Sequence, residues 1–460
     1  MKSYKPDEKQ TKIRAHLHNS DRAFVMAGMS VGKTATCLSV LDDLFTGYNI
    51  TGALVVAPKN VALLVWPNEV AGFKEFAWLR VASLRTAKGR RAFMDDTAHI
   101  YVINYDMLPQ YVELAKERIK KHGKLPYQVE IWDESTRAKN PSSKRINKFR
   151  RELRDHRAQF RWALTGTPMP NSHSDLFAQV RLLDDGQRFG ERFDFFRHMY
   201  FLQTDYMGYK WELAPGAKER IKNVIRDITI SVPGGEWPIS VIDIPLSLDV
   251  ASRARYDAFE KTKLLEIERD KNIVAPTAAA LLTKLLQFTS GSVYDTQDPN
   301  KTAHKIGSLK LNELRKLVAK HETLLVLVNF VHEQDRIREA FPHAVFFQDH
   351  ETDAARQQVE RDWNAGKMKM LVAHPASVGH GLNLQYGGHV MVWVTLGFNQ
   401  EYYTQANSRL ARRGQEKTVL CYRMIVTDTV DEVVAASLER KEADELDMLA
   451  MLRQLNQASH

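Results

Sequence analysis

The chain has 460 residues, 44% hydrophobic and 26% charged, ordinary proportions for a soluble globular protein and enough length for two domains or three. Lys and Arg total 65 against 56 Asp and Glu, and the net charge of +9 suits a polyanionic partner without requiring one. The polar N-terminus MKSYKPDEKQTKIRAHLHNSD has no apolar signal core, and runs such as 61-VALLVW-66 are too short to span a bilayer. Cys37 and Cys421 stand far apart in apolar patterns, which argues against a disulfide framework or a zinc site and for reduced thiols in a cytoplasmic protein.

Short β-rich apolar runs alternate with longer helical patterns. In the first half, strands are predicted at 23-AFVMA-27, 53-ALVVA-57, 99-HIYVI-103, 129-VEIW-132 and 161-RWALT-165. The turn formers 214-APG-216 and 232-VPGGEWP-238 follow, and a lobe boundary is placed near residue 235. Residues 249–290 read as mostly helical. Strands are then predicted at 323-TLLVLV-328, 343-HAVFFQ-348, 369-KMLVA-373, 390-VMVWV-394 and 418-TVLCYRMI-425, and the tail 432–455 has the apolar spacing of a packed helix. Continuous apolar strands between amphipathic helices imply buried parallel sheets, and two such sets imply an α/β fold of two lobes. The expected organisation is an N-terminal lobe over 1–235, a helical insertion over 236–300 and a C-terminal lobe over 301–460.

The stretch 27-AGMSVGKT-34 follows a predicted strand and opens a predicted helix, the context that a phosphate loop needs. Backbone N–H groups of such a turn point at phosphate oxygens, and Gly28 and Gly32 let the backbone approach closely. Lys33 would reach the β and γ phosphates of ATP, and Thr34 would hold Mg²⁺ through its hydroxyl. Ala27 and Ser30 stand where further glycines could be. The other reading is a solvated Gly-Lys turn capping a helix.

In 129-VEIWDEST-136, β-type residues deliver two carboxylates to a strand end. Asp133 can hold the metal, and Glu134 can orient and deprotonate an attacking water. One strand later, Thr165 and Thr167 of 164-LTGTPMPN-171 could hydrogen-bond that pair and sense the γ-phosphate. In 405-QANSRLARRGQ-415, Arg409 and Arg412 are spaced to share a helix face, and paired guanidiniums could stabilise charge on a transferring phosphoryl group. Read alone, this cluster is more readily a solvated basic helix end.

Taken in order, these segments resemble the Snf2-like ATPases of helicase superfamily 2, over most of the chain. AGMSVGKT is similar to the family's motif I, 55-VVAPKNVALLVWPNEV-70 to Ia, 103-INYDM-107 to Ib, WDEST to II and LTGTPMPN to III. The Phe-rich 175–200 segment, 326-VLVNF-330 for motif IV, 377-SVGHGLNL-384 for V, and QANSRLARRGQ with 425-IVTDTVDE-432 complete the series. Motif II departs from the family in reading DEST. Gln10 is the candidate for the family's adenine-reading glutamine, a solvated helical glutamine being the other reading.

The resemblance implies two RecA-like lobes and a motor that uses ATP and Mg²⁺ to translocate on DNA, double-stranded by the family's habit. It implies Lys33, Asp133, Glu134, Arg409 and Arg412 as catalytic, and Gln10, Gly28, Gly32, Lys33, Thr34 and Gly381 as nucleotide-binding. Thr34 and Asp133 would take the metal, and Lys59, Asn60, Asn104, Thr167 and Asn383 would touch nucleic acid, mostly at phosphates. The basic run 115-AKERIKKHGK-124 is either a further DNA contact or a solvated helix end. The alternatives are a strand-separating DNA or RNA helicase of the same superfamily and a nucleic-acid-binding module with a decayed ATP site. A compact chain without appended domains suits a bacterial or phage setting, with an accessory protein as a possible partner.

Overall fold

The computed structural model describes residues 1–169, 172–204, 211–235, 237–269, 275–295, 302–378 and 382–440, with the side chains of 263–269, 275–278, 353 and 440 outside the description. The chain divides into two compact units, Met1–Gly235 and Glu236–His460.

The first unit contains strands β1 (Arg22–Ala27), β2 (Ala53–Ala57), β3 (Val81–Ser83), β4 (Ile100–Asn104), β5 (Val129–Asp133) and β6 (Phe160–Thr165), a hairpin of β7 (Phe201–Gln203) and β8 (Trp211–Leu213), and β9 (Thr229–Val232). Apart from the hairpin they form one sheet in the order β3-β4-β2-β5-β6-β1-β9, every pair parallel. Side chains alternate between two cores, as the period of a strand requires. Ala23, Val25, Ala27, Ala53, Val55 and Ala57 pack with Ile13 of helix α1 (Glu8–His18) and with Cys37, Leu38 and Leu41 of helix α2 (Lys33–Thr46). Phe24, Leu54 and Val56 point the other way, toward Tyr111, Phe149 and Phe177 of helices on the opposite face. Burial on both faces is why these strands read as unbroken apolar runs.

The second unit repeats the principle. It contains β10 (Ile239–Leu246), a hairpin of β11 (Ser292–Tyr294) and β12 (Ala303–Lys305), then β13 (Leu324–Leu327), β14 (Val345–Phe346), β15 (Met370–Ala373), β16 (Val390–Trp393) and β17 (Val419–Val426). Its sheet runs β10-β17-β16-β13-β15-β14, again all parallel. Leu325, Leu327, Leu371 and Trp393 line one core, and Leu324, Val326, Val372 and Val392 the other. The α/β class and the two parallel sheets expected from the sequence are therefore present, and each of the ten predicted strands coincides with an observed one.

Besides the hairpin strands β7, β8, β11 and β12, three strands of the two large sheets escaped the sequence reading: β3, β9 and β10. All three are sheet edges. β10 pairs with β17 along its whole length yet leaves Ser240, Val241, Asp243 and Pro245 exposed. An edge strand shows one side to solvent, so its sequence alternates, and it tolerates a proline whose missing N–H faces outward. The helical reading of 249–290 corresponds to helices Val250–Arg269 and Ala275–Thr289. The tail helix runs Val430–Arg440, and the rest of the predicted 432–455 helix lies outside the described residues.

Candidate active site

The carboxyl ends of the first sheet's strands form one edge, and the sheet order fixes what meets there. β1, β6 and β5 are neighbours, so the loops bearing Gly28–Gly32, Gly166–Thr167 and Asp133–Glu134 lie side by side. β2 and β4 continue the same edge with Lys59, Asn60 and Asn104. This is where ligands gather on parallel α/β sheets.

β1 ends at Ala27 and α2 begins at Lys33, so residues 28–32 form the loop. Gly32 has φ +79° and Ser30 φ +62°. The left-handed region costs a residue with a β-carbon about 1–2 kcal/mol, so the site where a third glycine was absent is a point of backbone strain. The loop is gripped from two sides. Gly28 N–H donates to Val232 O at 3.0 Å, and a β-carbon on Gly28 would lie 2.3 Å from Gly234 N. Lys9 Nζ donates to Pro233 O (3.0 Å) and Gly234 O (2.9 Å), holding that wall in place. The sequence 232-VPGG-235 was read only as a turn. Its paired glycines were the signal of a close backbone approach.

On the other side stands Gln10, 4% exposed and so not the solvated glutamine considered above. Asp7 caps α1 in a capping box with Gln10. The amide oxygen of Gln10 accepts Asp7 N–H at 3.1 Å, and its Nε2 donates to Val31 O at 3.0 Å. Lys33 Nζ donates to Ala27 O at 2.8 Å and faces Gly166, where a β-carbon would lie 3.6 Å away. Thr34 is half-buried in the first turn of α2.

Asp133 closes β5 and is 4% exposed. Its Oδ2 accepts the buried Trp66 indole N–H at 3.0 Å, and its Oδ1 accepts Glu134 N–H at 3.1 Å. Burial, with the neighbouring Glu134 charge, pushes its carboxyl up to about 6, while Lys33 and the Trp66 bond pull the other way. Glu134 has φ +52°, a second strained non-glycine position, and is half-exposed. The oxygen-only pair of Thr34 and Asp133, beside a loop in which a β-carbon at Gly28 or Gly32 would collide, fits a hard cation and a phosphate chain.

Three residues to which the sequence reading gave no role tie this turn to its neighbours. Trp66 comes from the segment after β2, and Tyr105, 3% exposed, directly follows Asn104. Gln179, fully buried, accepts from Ser135 Oγ (2.7 Å) and donates to Pro168 O (2.7 Å), joining the DEST turn to the loop after β6. Trp66 and Tyr105 lay inside segments compared with motifs Ia and Ib. Thr165 Oγ1 accepts Thr167 N–H at 3.1 Å, which is the partner it takes in place of the acidic pair expected for it, and Thr167 Oγ1 is buried without a hydrogen bond.

Lys59 is exposed and Asn60 half-buried. Asn104 is only 7% exposed, with Nδ2 3.4 Å from Asp106 Oδ2. In the basic run at 115–124, Arg118 is a buried staple to Phe93 O and Met94 O and Lys116 pairs with Glu152, while Lys120, Lys121 and Lys124 are exposed.

In the second unit, the helix predicted to carry Arg409 and Arg412 on one face ends earlier, at Asn407. The two arginines sit in the turns beyond it. They nevertheless converge, because both Nη1 atoms donate to Leu382 O at 3.0 Å. Leu382 precedes Asn383, which is exposed and whose N–H donates to Glu360 at 3.0 Å. Burial raises the Glu360 carboxyl, and the Asn383 bonds, Arg412 and Arg409 offset this. Gly381 lies outside the described residues.

Two parallel-sheet α/β units, the first with a phosphate loop and a strand-end Asp-Glu pair on one edge, define a phosphate-loop protein built from two RecA-like lobes. The family model described as SNF2-related domain matches residues 13–230. Protein p41 of Acyrthosiphon pisum secondary endosymbiont phage 1 is 33% identical over 464 residues, covering 96% of this chain and 97% of that protein. An uncharacterized ATP-dependent helicase of Mycoplasma genitalium is 24% identical over 444 residues, covering 94% of this chain, which spans 40% of that protein's length. Among solved structures, the Sulfolobus solfataricus SWI2/SNF2 ATPase core in complex with dsDNA aligns over 98% of this chain and 97% of its own at 18% identity, with a TM-score of 0.44. The chain belongs to the Snf2-like ATPases of helicase superfamily 2. Among the described residues, no helix is long and apolar enough to cross a membrane, and both cysteines are buried and free.

Proposed function

We propose that this protein is an ATP-hydrolysing motor that is stimulated by DNA and moves along the double helix, working in the cytoplasm of a bacterial cell. The observation that carries this reading is the placement of Lys33 and the Asp133–Glu134 turn at the ends of β1 and β5, the two strands that flank β6, close enough for the Lys33 charge to act on Asp133, inside a chain of the Snf2 family. Lys33 would leave Ala27 O for the β and γ phosphates of ATP. Thr34 and Asp133 would hold Mg²⁺, which when bound neutralises charge on the phosphate oxygens. Glu134 would orient a water and accept its proton as the new O–P bond forms and the bond between the β–γ bridging oxygen and the γ-phosphorus breaks, releasing ADP and phosphate. Arg409 and Arg412 would stabilise charge on the transferring group, a role worth about 10³ to 10⁵ in rate in phosphoryl-transfer enzymes. Gln10 is assigned to the nucleotide. To read a base it would have to exchange its bonds to Asp7 and Val31.

The nucleic acid would run over the same carboxyl edge, at Lys59, Asn60, Asn104 and Thr167, with Asn383 contributing from the second unit. The net charge of +9 favours a polyanion, and contacts to phosphates would give tracking without sequence reading. The test is the ATPase rate of the purified protein alone and with duplex DNA, single-stranded DNA or RNA, beside Glu134→Gln. Stimulation by duplex DNA that vanishes in Glu134→Gln is the expected result. Stimulation only by single strands or RNA would move the reading to a strand-separating helicase, and absence of turnover under every condition would sink the motor.

A further inference from the structure

β5 ends at Asp133, and the next residue abandons the extended conformation for φ +52°, ψ +56°. Consecutive carbonyls of an extended strand point to opposite sides, so no single donor can reach both. At Glu134 the helical twist brings two of them round to the same side. The hydroxyl of Tyr105 lies 3.0 Å from Asp133 O and 3.3 Å from Glu134 O, the carbonyls immediately before and after the Glu134 α-carbon. A phenol has one proton to donate, and here it is shared between the two. That geometry exists only while Glu134 remains twisted. Tyr105 therefore stabilises a conformation that costs about 1–2 kcal/mol for a residue with a side chain.

The clamp is buried and packed. Tyr105 is 3% exposed, and its ring packs against Trp132 with centroids 6.1 Å apart. From the other side, Ser135 Oγ is anchored on Gln179 at 2.7 Å. The turn is thus fixed at the residues before and after Glu134, while the Glu134 side chain is left half-exposed. Tyr105 also directly follows Asn104 at the end of β4, on the strand neighbouring β2.

We infer that Tyr105 is a positioning residue for the hydrolysis step: it holds the Glu134 backbone in the left-handed conformation that aims the carboxylate at the attacking water. This rests on the reading of Glu134 as the general base. The test compares Tyr105→Phe, which removes one oxygen and keeps the ring, with Ser135→Ala, which releases the opposite tether and leaves the ring untouched. For each, kcat at saturating ATP and duplex DNA is measured beside the dissociation constant of a fluorescent ATP analogue. Both variants are expected to bind the analogue within twofold of the parent while kcat falls about 10- to 100-fold, the scale of a misplaced catalytic group. Wild-type kcat in both variants, or equal losses in binding and kcat, would overturn the proposal. Glu134→Gln separates the two ideas. If it alone is inactive, the clamp is wrong and the base stands. If it turns over normally, the reading of Glu134 fails.

Discussion

Asp133 offers the sharpest measurement, because its environment makes stability depend on pH. Its carboxyl is pushed from an ordinary value of 3.8 up to about 6, mainly by burial and next by Glu134. At about 1.36 kcal/mol per tenfold change, that difference corresponds to about 3 kcal/mol. A carboxyl whose folded value is raised binds its proton more tightly in the native state. The stabilisation is fully present below the unfolded value, near 4, and is lost as pH rises through about 6. Asp133→Asn removes this titration. It also leaves one of two donors, Trp66 Nε1 or Glu134 N–H, without its carboxylate acceptor, a constant penalty of about 1–3 kcal/mol that does not vary with pH. The unfolding free energy of the variant relative to the parent should therefore rise by about 2 kcal/mol between pH 4 and pH 7. Urea unfolding followed by the fluorescence of the buried tryptophans at Trp66, Trp132 and Trp162 reads this directly. ATP with Mg²⁺ should stabilise the parent much more than the variant at pH 7, and its affinity for the parent should weaken as pH falls through about 6. A difference between variant and parent that stays flat with pH to about 0.5 kcal/mol would refute the reasoning, since it would mean the buried carboxylate meets compensation that the geometry does not provide.

Other outcomes follow from the same loop. Lys33→Ala should abolish turnover in the ATPase assay, and persistence would remove Lys33 from the phosphates. Ser30→Gly should relieve the strain at φ +62° and, after the added flexibility of the unfolded chain, raise the thermal midpoint by roughly 1–3 °C; a lower midpoint would mean that the Ser30 side chain matters more than the strain. Gly28→Ala should destroy ATP binding because its β-carbon would lie 2.3 Å from Gly234 N, whereas Gly234→Ala, with nothing nearer than 3.4 Å, should bind nearly as the parent does in a fluorescent-analogue titration. Arg412→Ala should leave ATP binding intact and cut kcat by about 10³-fold or more; parallel loss of both would make the arginine a brace on the Leu382 carbonyl.

The central strands were legible because each is buried on both sides, which writes them as unbroken apolar runs. β3, β9 and β10 were not: β3 and β9 are short and only partly buried, and β10 alternates exposed with half-buried residues, whereas the edge strand β14 kept a legible apolar run. The phosphate loop and the Asp-Glu turn were legible from local order alone: strand, glycines, lysine, helix, and later strand, paired acids. Residues whose roles depend on distant partners were harder. Gln10 in isolation is a polar helical residue, and only α1 packing beside the loop gives it Val31 O. The arginine pair was expected to meet through helical spacing and meets instead through a shared acceptor beyond the helix end.

The sequence by itself determined the α/β class, the ten strands found in it and the composition of the phosphate loop and acidic turn. Those features depend on periodicity and on neighbours a few residues away. Only the tertiary structure decided that Val232–Gly234 walls the phosphate loop, that Trp66 and Tyr105 reach the acidic turn, and that Ser30 and Glu134 are strained. Sheet order is the reason. It brings together strand ends separated by tens to hundreds of residues, and hydrogen bonds made across that distance leave no periodic mark on the chain.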